Sequence, residues 1–212
     1  MSVNRTQVNA FIQAASAIIN ANEAEVTALD QAIGDGDHVT NLQRGLAALD
    51  ALAAELAVLD WPEALQKIGM SVMSKVGGAS GSLYGTFFLA MAKSFKDKDM
   101  SLANLAEGFG AGVESMKQRG KADLGEKTML DVLIPVAGVL HKAAAESWDL
   151  PKVLAEVNRV AEAGCESTRD LVPTKGRSSF LGERARGCID AGARTSQLMI
   201  AAIGGVLAGG AV

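Results

Sequence analysis

Residues 102–116 read LANLAEGFGAGVESM. Leu102, Leu105, Phe109, Val113 and Met116 fall three or four positions apart, with small or polar residues between them. That spacing lays one apolar stripe along an α-helix; a half-buried strand would alternate every second residue. The same period recurs along the chain. It runs through Val8, Phe11, Ile12 and Ile19, through Leu42, Leu46, Leu49, Leu52 and Leu56, and through Leu65, Ile68, Val72 and Val76. It continues in Leu83, Phe87, Met91 and Phe95, in Met129, Leu133, Val136 and Leu140, in Val153, Val157 and Val160, and in Leu198, Met199, Ile203 and Val206. About eight amphipathic helices with short connections are predicted, packed as an antiparallel all-α bundle or closed eight-helix barrel.

Composition agrees. The 212 residues are 49% apolar but only 4% aromatic, so Ala, Leu, Val, Ile and Met build the core, and Ala and Leu are strong helix formers. No linker or repeat divides residues 1–212, which predicts a single domain. Asp60-Trp-Pro62 and Asp149-Leu-Pro151 read as helix starts, Ser101 as a cap, and Pro135 as a kink within its helix. Net charge is −4 and no basic stripe carries interleaved aromatics, which argues against nucleic acid as a partner. The run 198–210 is too short and too glycine-broken to span a membrane, and the polar amino-terminal stretch does not read as a signal peptide. Two cysteines, Cys165 and Cys188, make no disulfide framework or zinc spacing. They read as reduced thiols of a cytoplasmic protein.

The connections carry the chemistry. Glycine and polar residues collect in 34–41, 77–81, 120–128 and 173–192. In an antiparallel array alternate connections fall at one end, so these four are expected to share a rim and form one composite site.

The first of them holds Gly34-Asp-Gly-Asp-His38, with Asp30 just upstream. Three short carboxylates in eight residues suit a hard divalent cation such as Mg2+, which takes oxygen ligands and relieves their mutual repulsion. An Asp-Gly turn capping the next helix is the structural alternative. An EF-hand does not fit, because neither register places Glu at its twelfth position. His38 and Asn41 offer N–H groups to a phosphate beside such a metal, or simply begin a helix. His141, in mid-helix beside Lys142, reads as structural.

In Val76-Gly-Gly-Ala-Ser-Gly81, Gly78, Ala79 and Ser80 open a helix whose free N–H groups favour phosphate. Taken alone, the segment is more commonly a tight helix–helix turn. Residues 120–128 mimic a P-loop but insert Glu126 before Lys127 and follow a helix, where a P-loop follows a strand. Arg177, in a basic stretch, is a forked donor fit to neutralise a phosphoryl group, or a solvated loop residue. No Ser/His/Asp or Cys/His set suggests covalent catalysis.

Together, GDGDH with its upstream Asp, VGGASG followed by GTFF, RGKADLGEKTM and GRSSFLGER resemble the nucleotide-binding L subunit of dihydroxyacetone kinase, in order and across essentially the whole chain. That resemblance implies an antiparallel eight-helix barrel. It implies Mg2+ held by Asp30, Asp35 and Asp37. It places His38, Asn41, Ala79, Ser80, Gly120, Met129, Arg177, Asp190 and Gly192 around ADP (or ATP). It further implies a separate K subunit that holds dihydroxyacetone covalently, and recharging of the nucleotide by a phosphotransferase-system phosphoprotein. An ATP-dependent kinase of another ketose, or a non-catalytic nucleotide-binding regulator, are the alternatives. Two positions depart from the family pattern: Val39 stands where glycine is usual after GDGDH, and Ala191 where the family has proline between Asp and Gly.

Overall fold

The computed structural model describes residues 7–209. The helices are α1 (Val8–Ala21), α2 (Glu23–Ile33), α3 (His38–Asp50), α4 (Ala53–Leu56), α5 (Trp61–Lys75), α6 (Gly78–Ser94), α7 (Leu102–Gly120), α8 (Leu130–Ala145), α9 (Leu150–Ser167) and α10 (Ala191–Leu207). Two 3₁₀ segments, Thr168–Asp170 and Arg177–Ala185, lie between α9 and α10. Among the described residues there is no strand.

Packing closes a ring. α1 lies on α3, α3 on α5, and each helix from α5 to α10 on the next, until α10 returns to α1. Up and down helices alternate around that ring, as short connections require. The inward stripes meet at its centre: Phe11, Leu46, Leu65, Phe88, Leu105, Val136, Val157 and Met199, one from each of the eight helices, surround an apolar cavity of about 350 Å³.

The opening stretch shows why α7 sits so close to α6. A Cβ at Gly108 would stand 2.6 Å from the ring of Phe95, and one at Gly112 2.5 Å from that of Phe87. The two glycines are notches for those rings, and Phe95 is fully buried. Close packing of this kind makes added volume costly.

The expected caps are present. Asp60 and Asp149 accept the backbone N–H of Glu63 at 2.9 Å and of Lys152 at 3.0 Å, each with a proline in the first turn. Ser101 accepts that of Asn104 at 3.3 Å.

Three expectations need correction. The stripe from Leu42 to Leu56 is not one helix, because the chain turns at 51–52 and restarts as α4. Residues 23–33, which carry no strong stripe, form α2, an extension of α1 broken at Asn22. The segment 173–192 is not open loop but is partly wound into 3₁₀ turns. Pro135 lies inside α8, as expected, and the helix runs through it. Proline there frees the carbonyl of Asp131 four residues back. Gly164 of α9 packs against that oxygen so closely that a Cβ would collide with it.

Candidate nucleotide and metal site

The connections after α2, α5, α7 and α9 do meet at one end of the barrel. They line a single pocket of about 340 Å³. Every residue singled out from the sequence borders it: Asp30, Asp35, Asp37, His38, Asn41, Gly78, Ala79, Ser80, Gly120, Met129, Arg177, Asp190 and Gly192.

One wall is acidic. Asp30 lies in the last turn of α2, and Asp35 and Asp37 follow in the turn to α3. One carboxylate oxygen from each lies within 4.8 Å of the others. Gly36, at φ +76°, lets the turn reverse so that all three face one side. Asp37 occupies the N-cap position of α3, yet its side chain caps no N–H, so its oxygens stay available. Asp30 Oδ2 accepts the backbone N–H of His38 at 3.1 Å, which anchors the turn. Three clustered carboxylates fit a hard divalent cation. Val39 causes no strain, because it lies within α3, is 1% exposed, and does not have positive φ.

The opposite wall is the start of α6, where Gly78 takes φ +65° and Ser80 is buried. His38 lies between the walls. Its ring nitrogens face Thr195 Oγ1 at 2.9 Å and Ser80 Oγ at 3.3 Å. Burial lowers the imidazole pKa, against the opposing pull of Asp30, Asp37 and Asp35, so a neutral ring is favoured. Met129 precedes α8 and lies against Gly192, where a Cβ would stand 3.2 Å from its methyl.

A strap crosses the mouth. Residues 174–187 are pinned at one end by Thr174, whose hydroxyl donates to Glu126 Oε1 at 2.6 Å. Arg177, 70% exposed, reaches across to Asp35 Oδ2 at 2.8 Å. It therefore already contacts the acidic wall.

Lys127 was the residue that sequence reading dismissed along with the false P-loop. It is 1% exposed, and its ammonium donates to the carbonyls of Thr168 and Cys188, each at 2.5 Å. It thus ties the loop after α7 to the 3₁₀ turn that precedes the strap and to the residue that follows it. Its neighbour Asp131, also buried, accepts the N–H groups of Gly125 at 2.5 Å and Thr128 at 2.7 Å and so shapes that loop. No local motif signals these roles, because the partners of Lys127 lie 41 and 61 positions away.

Asp190 caps α10, accepting the N–H of Ala193 at 2.8 Å, and Ala191 takes the first helical position without disturbing that cap. Burial lifts the Asp190 pKa from its ordinary 3.8 to about 6, despite the Ala193 hydrogen bond and the nearby Lys127. A raised carboxyl pKa means that the folded chain holds this proton where the unfolded chain has lost it. This contribution to stability is full below pH 4 and is lost as pH rises to about 6. Asp190→Asn keeps the cap but not the titration. Its stability relative to wild type should rise by roughly 2 kcal/mol between pH 4 and 7, after allowing for partial exposure. Urea unfolding midpoints across that range measure it, and parallel pH profiles would contradict it.

Fold and rim together define a class: an α-helical barrel with a metal- and phosphate-suited pocket at the ends of its helices. The chain belongs to the DAK2 domain family, which matches residues 32–205. It is 42% identical over 185 residues to the Listeria innocua protein named PEP-dependent dihydroxyacetone kinase 1, ADP-binding subunit DhaL, covering 87% of this chain and 88% of that one. The Escherichia coli (strain K12) PEP-dependent dihydroxyacetone kinase, ADP-binding subunit DhaL, is 35% identical over 201 residues, covering 94% and 96%. The crystal structure of the dihydroxyacetone kinase of C. freundii, native form, superposes with a TM-score of 0.75 at 26% identity. That match covers 97% of this chain but only 35% of the kinase, so this chain corresponds to about a third of it. Among the described residues no helix is long and apolar enough to cross a membrane.

Proposed function

We propose that this chain is the Mg-nucleotide-binding subunit of a dihydroxyacetone kinase. The observation that carries the reading is the convergence of four separate connections on one pocket that sets three clustered carboxylates opposite the start of α6. The relatives named ADP-binding subunits, matched over most of their length, supply the nucleotide.

Asp30, Asp35 and Asp37 would hold Mg2+. An ion held there would supply charge neutralisation at the phosphate oxygens and so ease attack at the terminal phosphorus. The chain's own groups do the rest. Backbone N–H groups of Gly78, Ala79 and Ser80, at the start of α6, would bind the phosphates. His38, neutral and held on both ring nitrogens, supports that wall. Asn41 and Gly120 border the phosphate and ribose side. Met129 and Gly192 give an apolar seat for the base, closed by the α10 start at Asp190. Arg177 is the catalytic residue of this reading: its forked N–H groups are within reach of charge that develops on the transferring phosphoryl. Catalysis is then positioning and electrostatics with no covalent intermediate on this chain.

The relatives are subunits by name, so the acceptor ketone belongs on a second chain, a K-type subunit that presents dihydroxyacetone to the pocket mouth. A phosphoprotein of the phosphotransferase system recharges the nucleotide in place, consistent with the "PEP-dependent" names of those relatives. Reconstitution tests both points. The purified chain, a K-type subunit and dihydroxyacetone are incubated once with a phosphotransferase relay and once with ATP. Phosphorylated ketone is expected with the relay and little with ATP. Robust turnover with ATP alone would move the donor to free nucleotide. No product with either donor would leave a binding protein that transfers nothing.

A further inference from the structure

The His38 ring belongs to a partly buried chain of hydrogen bonds whose direction can be worked out by counting protons. A hydroxyl has one hydrogen to give. Thr195, fully buried in the first turns of α10, gives its hydrogen to the carbonyl of Gly192 at 3.1 Å. Its oxygen can then only accept from His38 Nε2, 2.9 Å away. In the neutral imidazole, a proton on Nε2 leaves Nδ1 as a lone pair. Ser80 must therefore donate to Nδ1 across 3.3 Å. This assignment satisfies every contact in the chain. The opposite tautomer would need the Thr195 hydrogen for Nε2 and would break its bond to Gly192.

We infer that Thr195 is a positioning residue of the nucleotide site. It fixes His38 as the Nε2–H tautomer and, through Nδ1, orients the Ser80 hydroxyl at the start of α6. Three elements that border the pocket, the starts of α3, α6 and α10, are thereby locked to one another by a group that does not itself line it. Ser80 then presents only oxygen lone pairs to the pocket, and phosphate recognition on that wall falls to the backbone N–H groups. The consequence for nucleotide rests on the function proposed above; the tautomer itself does not.

Nuclear magnetic resonance tests it on ligand-free protein. The chain has two histidines, so a His141→Gln sample assigns His38 in a long-range proton–nitrogen spectrum recorded above the imidazole pKa. Wild type is expected to show a protonated Nε2 and a bare Nδ1. Thr195→Val removes the acceptor while keeping the shape, and the proton should move to Nδ1, where Ser80 can accept it. Thr195→Ser should restore the wild-type pattern. Affinity for Mg-ADP should fall about tenfold in Thr195→Val and recover to within about twofold in Thr195→Ser, the scale of one net hydrogen bond. If Thr195→Val does not fold, Ser80→Ala decides instead, since Nε2 must stay protonated when only the Nδ1 partner is lost. A wild-type ring protonated at Nδ1, a Thr195→Val ring unchanged from wild type, or a Ser80→Ala ring that switches would each overturn the assignment. Wild type that binds no Mg-ADP, with the tautomer as stated, would defeat the function proposal and leave the Thr195 assignment standing.

Discussion

Asp35→Ala is expected to abolish the stabilisation that Mg-ADP gives the wild-type chain. Ligand at a hundredfold excess over its dissociation constant stabilises a native state by about 2.7 kcal/mol. For a chain of this length that corresponds to roughly 5–10 °C in melting temperature. The effect depends on a cation held by three carboxylates whose oxygens lie within 4.8 Å of one another. Removing one withdraws a charged oxygen ligand from a cation that takes few protein ligands and demands near-ideal octahedral geometry. The metal-free variant, by contrast, should melt close to wild type. Among the described residues it loses the ion pair to Arg177, whose partners are 70% and 31% exposed. Such a surface pair is worth less than about 1 kcal/mol, and relief of repulsion among the aspartates offsets it. Thermal scans with and without Mg-ADP separate the two effects. A variant that responds to Mg-ADP like wild type would remove Asp35 from the metal site.

Arg177→Ala should have the largest effect on rate. An arginine placed on a transferring phosphoryl group is commonly worth about 10³-fold or more in turnover. Here Arg177 hangs from the strap and already reaches the acidic wall at 2.8 Å from Asp35. In the reconstituted kinase, turnover should fall about 10³-fold, while Mg-ADP affinity changes by less than about tenfold, because the group acts mainly on charge that develops during transfer. Lysine supplies the charge but not the fork, so Arg177→Lys should recover only a small part of the loss. Equal turnover in wild type and Arg177→Ala would show that the strap positions nothing in the reaction.

The helices that were legible beforehand are those that bury a full stripe. α5 to α10 face the barrel interior, so a 3.6-residue period is imposed on them. α2 escaped notice because it buries only Val26 and Ile33 and carries Glu23, Glu25 and Asp30 on its other sides. α4 was merged into α3 because Leu52 and Leu56 keep the period across a break that no glycine or proline marks.

The pocket was legible where its chemistry is local. Three aspartates around two glycines and a glycine-rich helix start each fit within a few residues. The supports of the pocket were not. Thr195 meets His38 across 157 positions, and Lys127 reaches carbonyls on two other segments. A threonine inside an apolar helix, or a lysine in a loop, carries no sign of such a partner until the barrel closes. Valine is tolerated at position 39 because α3 begins one residue before it, and the positive φ of the turn falls on Gly36.

A crystal structure of the chain grown with ADP and Mn2+ in place of Mg2+, with the anomalous signal used to locate the ion, tests the central claim most directly. The expected map puts the metal on the carboxylates of Asp30, Asp35 and Asp37, with the diphosphate between it and the start of α6. Those three aspartates bare, with the nucleotide bound elsewhere or absent, would contradict it.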